Sequence, residues 1–133
     1  MTPVLLDTVG LIAIWDEDDQ WHDPAAIVFD QLLAQGRRLV ATTLVLYECG
    51  NAAARRPYRA DVDVLRERMK AEGQLIEHIE SDVAAAWSAF RAGHVGSAGI
   101  VDHVSFAVMR RLGVTEVFTN DRHFSTAGFK PLF

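Results

Sequence analysis

Short apolar segments alternate with helix-like segments from one end of the chain to the other, and this alternation restricts the fold more than any other feature of the sequence. The strand-like segments lie at residues 4–6, 39–41, 75–79 and 114–119, and the tail at 130–133 is expected to add a fifth. Strands separated by helices favour right-handed βαβ units around a parallel sheet. The sequence therefore predicts an α/β fold with a mostly parallel central sheet of four to five strands.

Capping residues and glycine or proline stops indicate where the helices begin and end. The predicted helices span residues 8–15, 24–35, 44–55, 58–72, 82–91 and 100–112. Asp23 is expected to cap the second helix and Ser81 the fifth, while either Thr42 or Thr43 caps the third. The pattern contains no internal repeat and no linker. A chain of 133 residues is therefore expected to form a single domain over residues 1–133.

Composition restricts the class of protein further. Half of the residues are hydrophobic, which is enough to build a core, and no apolar run approaches the roughly 20 residues of a membrane helix. No basic segment precedes the first apolar stretch, so a secretory signal is not expected. Cys49 is the only cysteine, which excludes an internal disulfide framework and a multi-cysteine zinc site. We expect a cytoplasmic protein without membrane contact.

The net charge restricts how the chain would meet a nucleic acid. Thirteen Lys and Arg residues stand against 18 Asp and Glu residues, which gives a net charge of −5. Phosphate contacts favour basic surfaces, so this balance argues against tight, stable binding of nucleic acid. A local basic rim or bound cations remain compatible with an enzyme that holds its substrate briefly.

Four acidic residues are placed where ligands bind in open parallel sheets, beyond the carboxyl ends of the strands. Asp7 directly follows the first predicted strand, and Glu48 lies early in the helix after the second. Asp121 follows the fourth strand, and Asp102 opens the helix that leads into it. We therefore expect these four carboxylates to converge at one end of the sheet.

Converging carboxylates repel one another, and a bound cation relieves the repulsion. Mg²⁺ suits such a site because it prefers oxygen ligands and a few carboxylates, and it can generate a hydroxide for phosphodiester cleavage. A structural alternative stays open, in which Asp7 and Asp121 cap helices and Asp102 stabilises a helix dipole. Glu48 is harder to explain in that way because its helix start is strongly apolar.

Four segments together resemble the PIN domain, and most closely the VapC-type toxins of bacterial toxin–antitoxin pairs. These segments are LLDT at residues 5–8, TLVLYECGN at 43–51, VDHVSFAVM at 101–109 and FTNDRHF at 118–124. The resemblance spans nearly the whole chain and keeps all four acidic positions in order. One departure is Val9, followed by Gly10, where family members often carry a small polar residue.

The resemblance implies a three-layer α/β/α fold and cleavage of single-stranded RNA by a water activated by Mg²⁺ or Mn²⁺. It implies that the catalytic and metal-binding residues are Asp7, Glu48, Asp102 and Asp121. Thr8, Thr119 and Asn51 would support the site. The resemblance also implies a homodimer and an antitoxin protein that silences the toxin by reaching into the acidic cleft.

Several basic residues near the acidic positions are candidates for binding the RNA. Arg55 is expected two helical turns beyond Glu48, and Arg56 and Arg59 follow it. We interpret these arginines as an RNA-facing rim, although a solvated helix end explains them equally well. His123 lies near Asp121 and is a further candidate for contact with a substrate phosphate.

Other functions fit the sequence less well. A receiver domain would need paired acids after the first strand, and a haloacid-dehalogenase-like phosphatase would need an acid in place of Val9. Two alternatives remain open: an RNA-processing PIN nuclease that is not a toxin, and a non-catalytic module that binds a partner protein.

Overall fold

A computed structural model of the chain describes residues 2–133 and contains five strands and seven helices within that range. The strands are β1 (Val4–Leu6), β2 (Leu39–Thr42), β3 (Leu75–Ile76), β4 (Glu116–Phe118) and β5 (Lys130–Pro131). The helices are α1 (Thr8–Trp15), α2 (His22–Ala34), α3 (Thr43–Ala53), α4 (Arg59–Ala71), α5 (Glu80–Ala92), α6 (Ile100–Leu112) and α7 (Arg122–Thr126).

The five strands form one parallel sheet in the order β3-β2-β1-β4-β5. The first strand therefore lies at the centre, and the strand order reverses between β1 and β4. In the register of this pair, Leu6 lies opposite Phe118. The residues that follow these two strands consequently emerge side by side, at the position where parallel sheets bind ligands.

Alternation along the central strand divides the core into two layers, because successive strand residues face opposite sides of a sheet. Val4 and Leu6 belong to a cluster with buried residues of α1, α2, α3 and α4. Leu5 belongs to a second cluster with Phe106 of α6 and Phe124 of α7. Helix α5 packs against α6 on this second side. The α/β class and the three-layer α/β/α arrangement expected from the sequence are confirmed.

Gly10 lets α1 lie unusually close to the neighbouring strand. A Cβ atom at this position would overlap with the carbonyl oxygen of Phe118 and would lie 2.5 Å from the Phe118 ring. The absence of a side chain at Gly10 therefore has a packing reason, and it keeps the start of α1 beside the end of β4.

The structure corrects two of the predicted helix caps. Thr42 caps α3 as expected, because its hydroxyl accepts a hydrogen bond from the Val45 N–H. Asp23 does not cap α2, because this helix begins at His22, two residues before the predicted start, and Asp23 lies in its first turn. Ser81 does not cap α5 either, since the carboxylate of Asp82 accepts the hydrogen bond from the Ile79 N–H.

The end of α3 and the lengths of two strands, β3 and β4, also differ from the prediction. Helix α3 ends at Ala53, so Arg55 lies in the following turn and not on the helical face of Glu48. The strands expected at 75–79 and 114–119 shorten to two and three residues. In β3, which lies at the edge of the sheet, the ladder contains only two residue pairs. Within residues 2–133, no helix has both the length and the apolar character needed to cross a membrane.

Candidate metal and active site

Asp7 and Thr119 form the centre of the candidate site, at the carboxyl ends of the two adjacent strands β1 and β4. The hydroxyl of Thr119 donates a hydrogen bond to Oδ2 of Asp7 at 2.9 Å, and both residues are almost fully buried. The same hydroxyl accepts a hydrogen bond from the backbone N–H of Asp121 at 3.1 Å. Thr119 thus links two of the predicted acidic residues and fixes their relative positions.

The position of Asp7 is not explained by helix capping. Asp7 precedes α1, yet its side chain makes no capping hydrogen bond to that helix. A buried carboxylate that does not cap its own helix needs another partner. Asp121, by contrast, does cap α7, because its Oδ1 accepts a hydrogen bond from the His123 N–H at 2.9 Å. The structural alternative therefore holds in part for Asp121 and fails for Asp7.

Glu48 reaches the site from α3 and is held by the first residue of α1. The hydroxyl of Thr8 donates a hydrogen bond of 2.5 Å to Oε1 of Glu48. This contact provides the partner that a glutamate in an apolar helix start requires. It also ties α1 to α3 beside Asp7.

Asp102, Asp121 and His123 form the more open part of the site. One ligand atom from each of these side chains lies within 4.8 Å of the other two. Nδ1 of His123 lies 2.8 Å from Oδ1 of Asp121, and its Nε2 lies 3.2 Å from the hydroxyl of Ser97. His123 is therefore positioned among the acidic residues. The contact with Ser97 was not predicted, because no periodic pattern in the glycine-rich segment 93–99 indicates its path.

Burial and mutual repulsion raise the pKa values of two of the carboxylates. Burial, followed by the charge of Asp102, raises the pKa of Asp7 to about 7, although the hydrogen bond from Thr119 opposes the shift. Burial, followed by the charges of Asp121 and Glu48, raises the pKa of Asp102 to about 6. The ionised cluster is therefore costly in the absence of a counter-ion.

The donor atoms of this cluster fit a divalent cation. Asp102 and Asp121 supply hard carboxylate oxygens, which Mg²⁺ and Mn²⁺ prefer, and their ligand atoms lie with one of His123 within 4.8 Å of one another. Asp7 and Glu48 lie outside this group, although the charge of Asp102 acts on Asp7 and that of Glu48 acts on Asp102. A cation would offset the repulsion that raises the pKa values of Asp7 and Asp102. The residues present thus suit the metal that the sequence predicts.

The predicted basic rim is only partly available. Arg56 is paired with Asp16, with Nη2 and Oδ2 at 2.8 Å, and its guanidinium lies over the Tyr58 ring. Arg55 and Arg59 are exposed. Asn51 is also exposed, and within residues 2–133 it forms no side-chain hydrogen bond to the acidic cluster. The structure thus places Thr8 and Thr119 in contact with the acids, whereas Asn51 is exposed and lines a groove between α3 and α4.

Three solved structures share this architecture. VapC20 from Mycobacterium tuberculosis, a sarcin–ricin loop cleaving toxin, has a TM-score of 0.77 and 23% sequence identity, over 95% of each chain. FitAcB from Neisseria gonorrhoeae has a TM-score of 0.66 and 20% identity, over 96% of this chain and 95% of the other. PAE2754 from Pyrobaculum aerophilum has a TM-score of 0.61 and 19% identity, over 98% and 84%. At these identities, the likenesses show the fold alone.

The family is shown by a different comparison. No curated protein matches the sequence. The profile of the PIN domain matches residues 4–130. This range includes strands β1 to β4, the first residue of β5 and all four acidic positions. The resemblance drawn from the sequence is thereby confirmed, and the chain belongs to the PIN domain family.

Proposed function

We propose that the chain is a metal-dependent endoribonuclease that cuts single-stranded RNA. PIN domains are generally nucleases. The observation that carries the proposal is the arrangement at the carboxyl ends of β1 and β4. There the charges of Asp102 and Asp121 act on a buried Asp7 that is held by Thr119, and the charges of Asp121 and Glu48 act in turn on Asp102.

In this proposal, each residue of the cluster has a distinct task. The cation would be held by Asp7, Glu48, Asp102 and Asp121. Thr119 orients Asp7 and Thr8 orients Glu48, so that their carboxylates do not have to be ordered when the substrate arrives. When bound, Mg²⁺ or Mn²⁺ supplies an activated water and offsets the charge that develops on the phosphate.

The basic residues near the cluster are proposed to hold the RNA backbone. Arg55 and Arg59 are exposed and available to phosphates, whereas Arg56 would first have to leave Asp16. His123 lies beside Asp102 and Asp121, where its imidazole can contact either the cation or a phosphate. Because the net charge is −5, the bound cation is expected to contribute much of the attraction for RNA.

We further propose that this nuclease is the toxin of a toxin–antitoxin pair, acts as a homodimer and is silenced by an antitoxin protein. The similarity in fold to VapC20 supports this assignment over an RNA-processing role or a non-catalytic binding module. Toxicity on expression that a co-expressed neighbouring small protein relieves would distinguish a toxin from a processing enzyme. Sedimentation that gives a monomer at working concentrations would contradict the homodimer.

Cleavage of a mixed pool of single-stranded RNA tests the nuclease itself. Wild type is expected to cut the pool with Mg²⁺ or Mn²⁺ and to lose this activity in EDTA. Asp7→Asn should be inactive, because it removes a charge from the centre of the cluster. Asp30→Asn is the matched control, since Asp30 is exposed on α2 and should leave cleavage unchanged. Cleavage that persists in Asp7→Asn or in EDTA would contradict the proposed site.

A further inference from the structure

A groove between α3 and α4 is lined by residues that flank Glu48 on α3, and its lining suits a nucleotide. We call it the α3–α4 groove; its floor is formed by Leu46 and Val62, and its rim by Tyr47, Gly50, Asn51, Arg59, Asp63 and Arg66. Its volume is about 450 Å³. This lies within the range of roughly 300–1,000 Å³ that is typical of small-molecule sites.

Tyr47 is the feature of the groove that most needs an explanation. Its side chain is 62% exposed although it lies on a helix whose neighbouring residues Val45, Leu46 and Cys49 are buried. An exposed ring beside a concave surface is a suitable platform for an unpaired base, because every base has a π-face that can stack on it. The amide of Asn51, on the same rim, can both donate to and accept from the edge of a base.

The charges of the groove complement a nucleotide phosphate. Arg66 is paired with Asp63, with Nη2 and Oδ1 at 2.7 Å, and its Nη2 also lies 3.7 Å from Oε1 of Glu67, so Arg66 adds no net positive charge to the groove. The guanidinium of Arg59 only donates a weak hydrogen bond of 3.3 Å to the Ala54 carbonyl. The guanidinium of Arg59 is therefore available at the rim to contact a phosphate.

The geometry of α3 connects the groove to the acidic cluster. Successive residues on an α-helix are separated by about 100°, so Asn51 points about 60° away from Glu48 and about 40° away from Tyr47. Viewed along the helix axis, Asn51 consequently lies between the exposed ring of Tyr47 and the carboxylate of Glu48. An RNA strand whose phosphate reaches Glu48 has an adjacent nucleotide within reach of the groove.

We propose that the α3–α4 groove binds one unpaired nucleotide next to the cut phosphate, with its base stacked on Tyr47 and its phosphate near Arg59. This inference rests on the proposed ribonuclease function. It favours RNA over a protein occupant because the rim carries an amide and, beside the aromatic ring, the guanidinium of Arg59, which forms no salt bridge within residues 2–133.

Steady-state cleavage of a single-stranded RNA tests the stacking contact. Tyr47→Leu should raise KM about tenfold, the loss expected for one stacked base, while Tyr47→Phe should keep KM near that of wild type. Trp87→Leu is the matched control, because Trp87 is 52% exposed on α5 and does not line the groove. A KM that is unchanged in Tyr47→Leu would overturn the proposal and leave the nuclease intact.

A binding measurement separates this proposal from the proposed function. An RNA with 2-aminopurine in place of each base in turn, mixed with Asp7→Asn and Mn²⁺, should lose fluorescence at one position, where the base stacks. Introducing Tyr47→Leu into the Asp7→Asn variant should abolish that loss of fluorescence. If wild type cuts no RNA and Asp7→Asn quenches no position, both proposals fail. If sedimentation shows that Tyr47→Leu dissociates a dimer, the groove is an interface between two copies and the nucleotide site is overturned.

Discussion

Thr119 shows how single residues fix the geometry of the candidate site. Its hydroxyl donates to Asp7 and accepts from the Asp121 N–H, so one buried side chain joins the ends of two elements. Thr8 has the same effect on Glu48. The carboxylates are thus held by neutral hydroxyl groups, which constrain their positions without neutralising the charge that a cation needs.

Replacing Thr119 tests this arrangement. Thr119→Val should lower the free energy of unfolding by roughly 1–3 kcal/mol, because it leaves buried polar groups without a partner. It should also reduce RNA cleavage, since Asp7 loses the contact that orients it. Thr119→Ser keeps the hydroxyl and should retain most of the activity. Urea unfolding and cleavage rates check both effects, and equal loss of activity in the two variants would contradict a role for the hydroxyl.

The sequence predicts the four acidic residues because each has a defined place relative to a strand or to the start of a helix. The same reasoning predicts Thr8 and Thr119 only through the family resemblance. It does not find the contact between Ser97 and His123, because the glycine-rich segment that carries Ser97 has no periodic pattern. The exposure of Tyr47 is also missed, since an aromatic residue in an apolar helix start is typical of a core position.

At the scale of elements, Gly10 controls how closely α1 approaches β4. Gly10→Ala should destabilise the fold by at least about 1–3 kcal/mol, because the added Cβ would overlap with the Phe118 backbone. Gly50→Ala is the control: a Cβ at Gly50 meets nothing within 4 Å, so this change should be neutral or stabilise α3 by up to about 1 kcal/mol. Thermal or urea unfolding measures both, and equal effects would contradict the close approach.

The α5–α6 pair contains an ion pair between the buried Asp82 and the partly exposed Arg111, and this pair predicts how stability depends on pH. Burial opposes ionisation of Asp82, but hydrogen bonds from Arg111 and from the Ile79 N–H outweigh it and lower the pKa of Asp82. A depressed pKa in the folded state stabilises the fold at neutral pH. This stabilisation is lost as the pH falls below the ordinary value of 3.8 towards the folded value.

Asp82→Ala should therefore destabilise the chain by roughly 1–3 kcal/mol at pH 7, and by less at pH 3. Urea unfolding at the two pH values measures the difference. Asp63→Ala is the control, because the Asp63–Arg66 pair is exposed and such pairs contribute little. A destabilisation by Asp82→Ala that is the same at both pH values would contradict the role of the ionised carboxylate.

The sequence predicts the bounds of β1 better than those of β3 and of α5, for a physical reason. Strand β1 is buried on both faces and reads as a continuous apolar run, so its bounds are correct at residues 4–6. Strand β3 is partly exposed at the sheet edge, and its length depends on its pairing with β2. The start of α5 depends on Asp82, whose position is fixed by Arg111 in another helix. Such long-range contacts leave no local pattern in the sequence.

At the scale of the whole molecule, fold and charge act against each other. Parallel pairing of β1 and β4 brings carboxylates together at one end of the sheet, while the chain as a whole already carries a net charge of −5. Burial and repulsion raise the pKa values of Asp7 and Asp102, so holding these carboxylates close together lowers the stability of the folded chain. A cation that binds only to the folded chain would offset this loss of stability.

The thermal midpoint with and without Mg²⁺ tests this conclusion. Mg²⁺ at about 100 times its Kd should stabilise wild type by about 2.7 kcal/mol, because only the folded state binds it. Asp102→Asn should raise the midpoint in EDTA, since it removes a charge that repels its neighbours, and should reduce the response to Mg²⁺. The exposed Asp30→Asn should behave as wild type. The conclusion would be contradicted if Asp102→Asn lowers the thermal midpoint in EDTA and keeps the full response to Mg²⁺. Repulsion between the carboxylates would then not destabilise the metal-free fold, and Asp102 would not help to bind the ion.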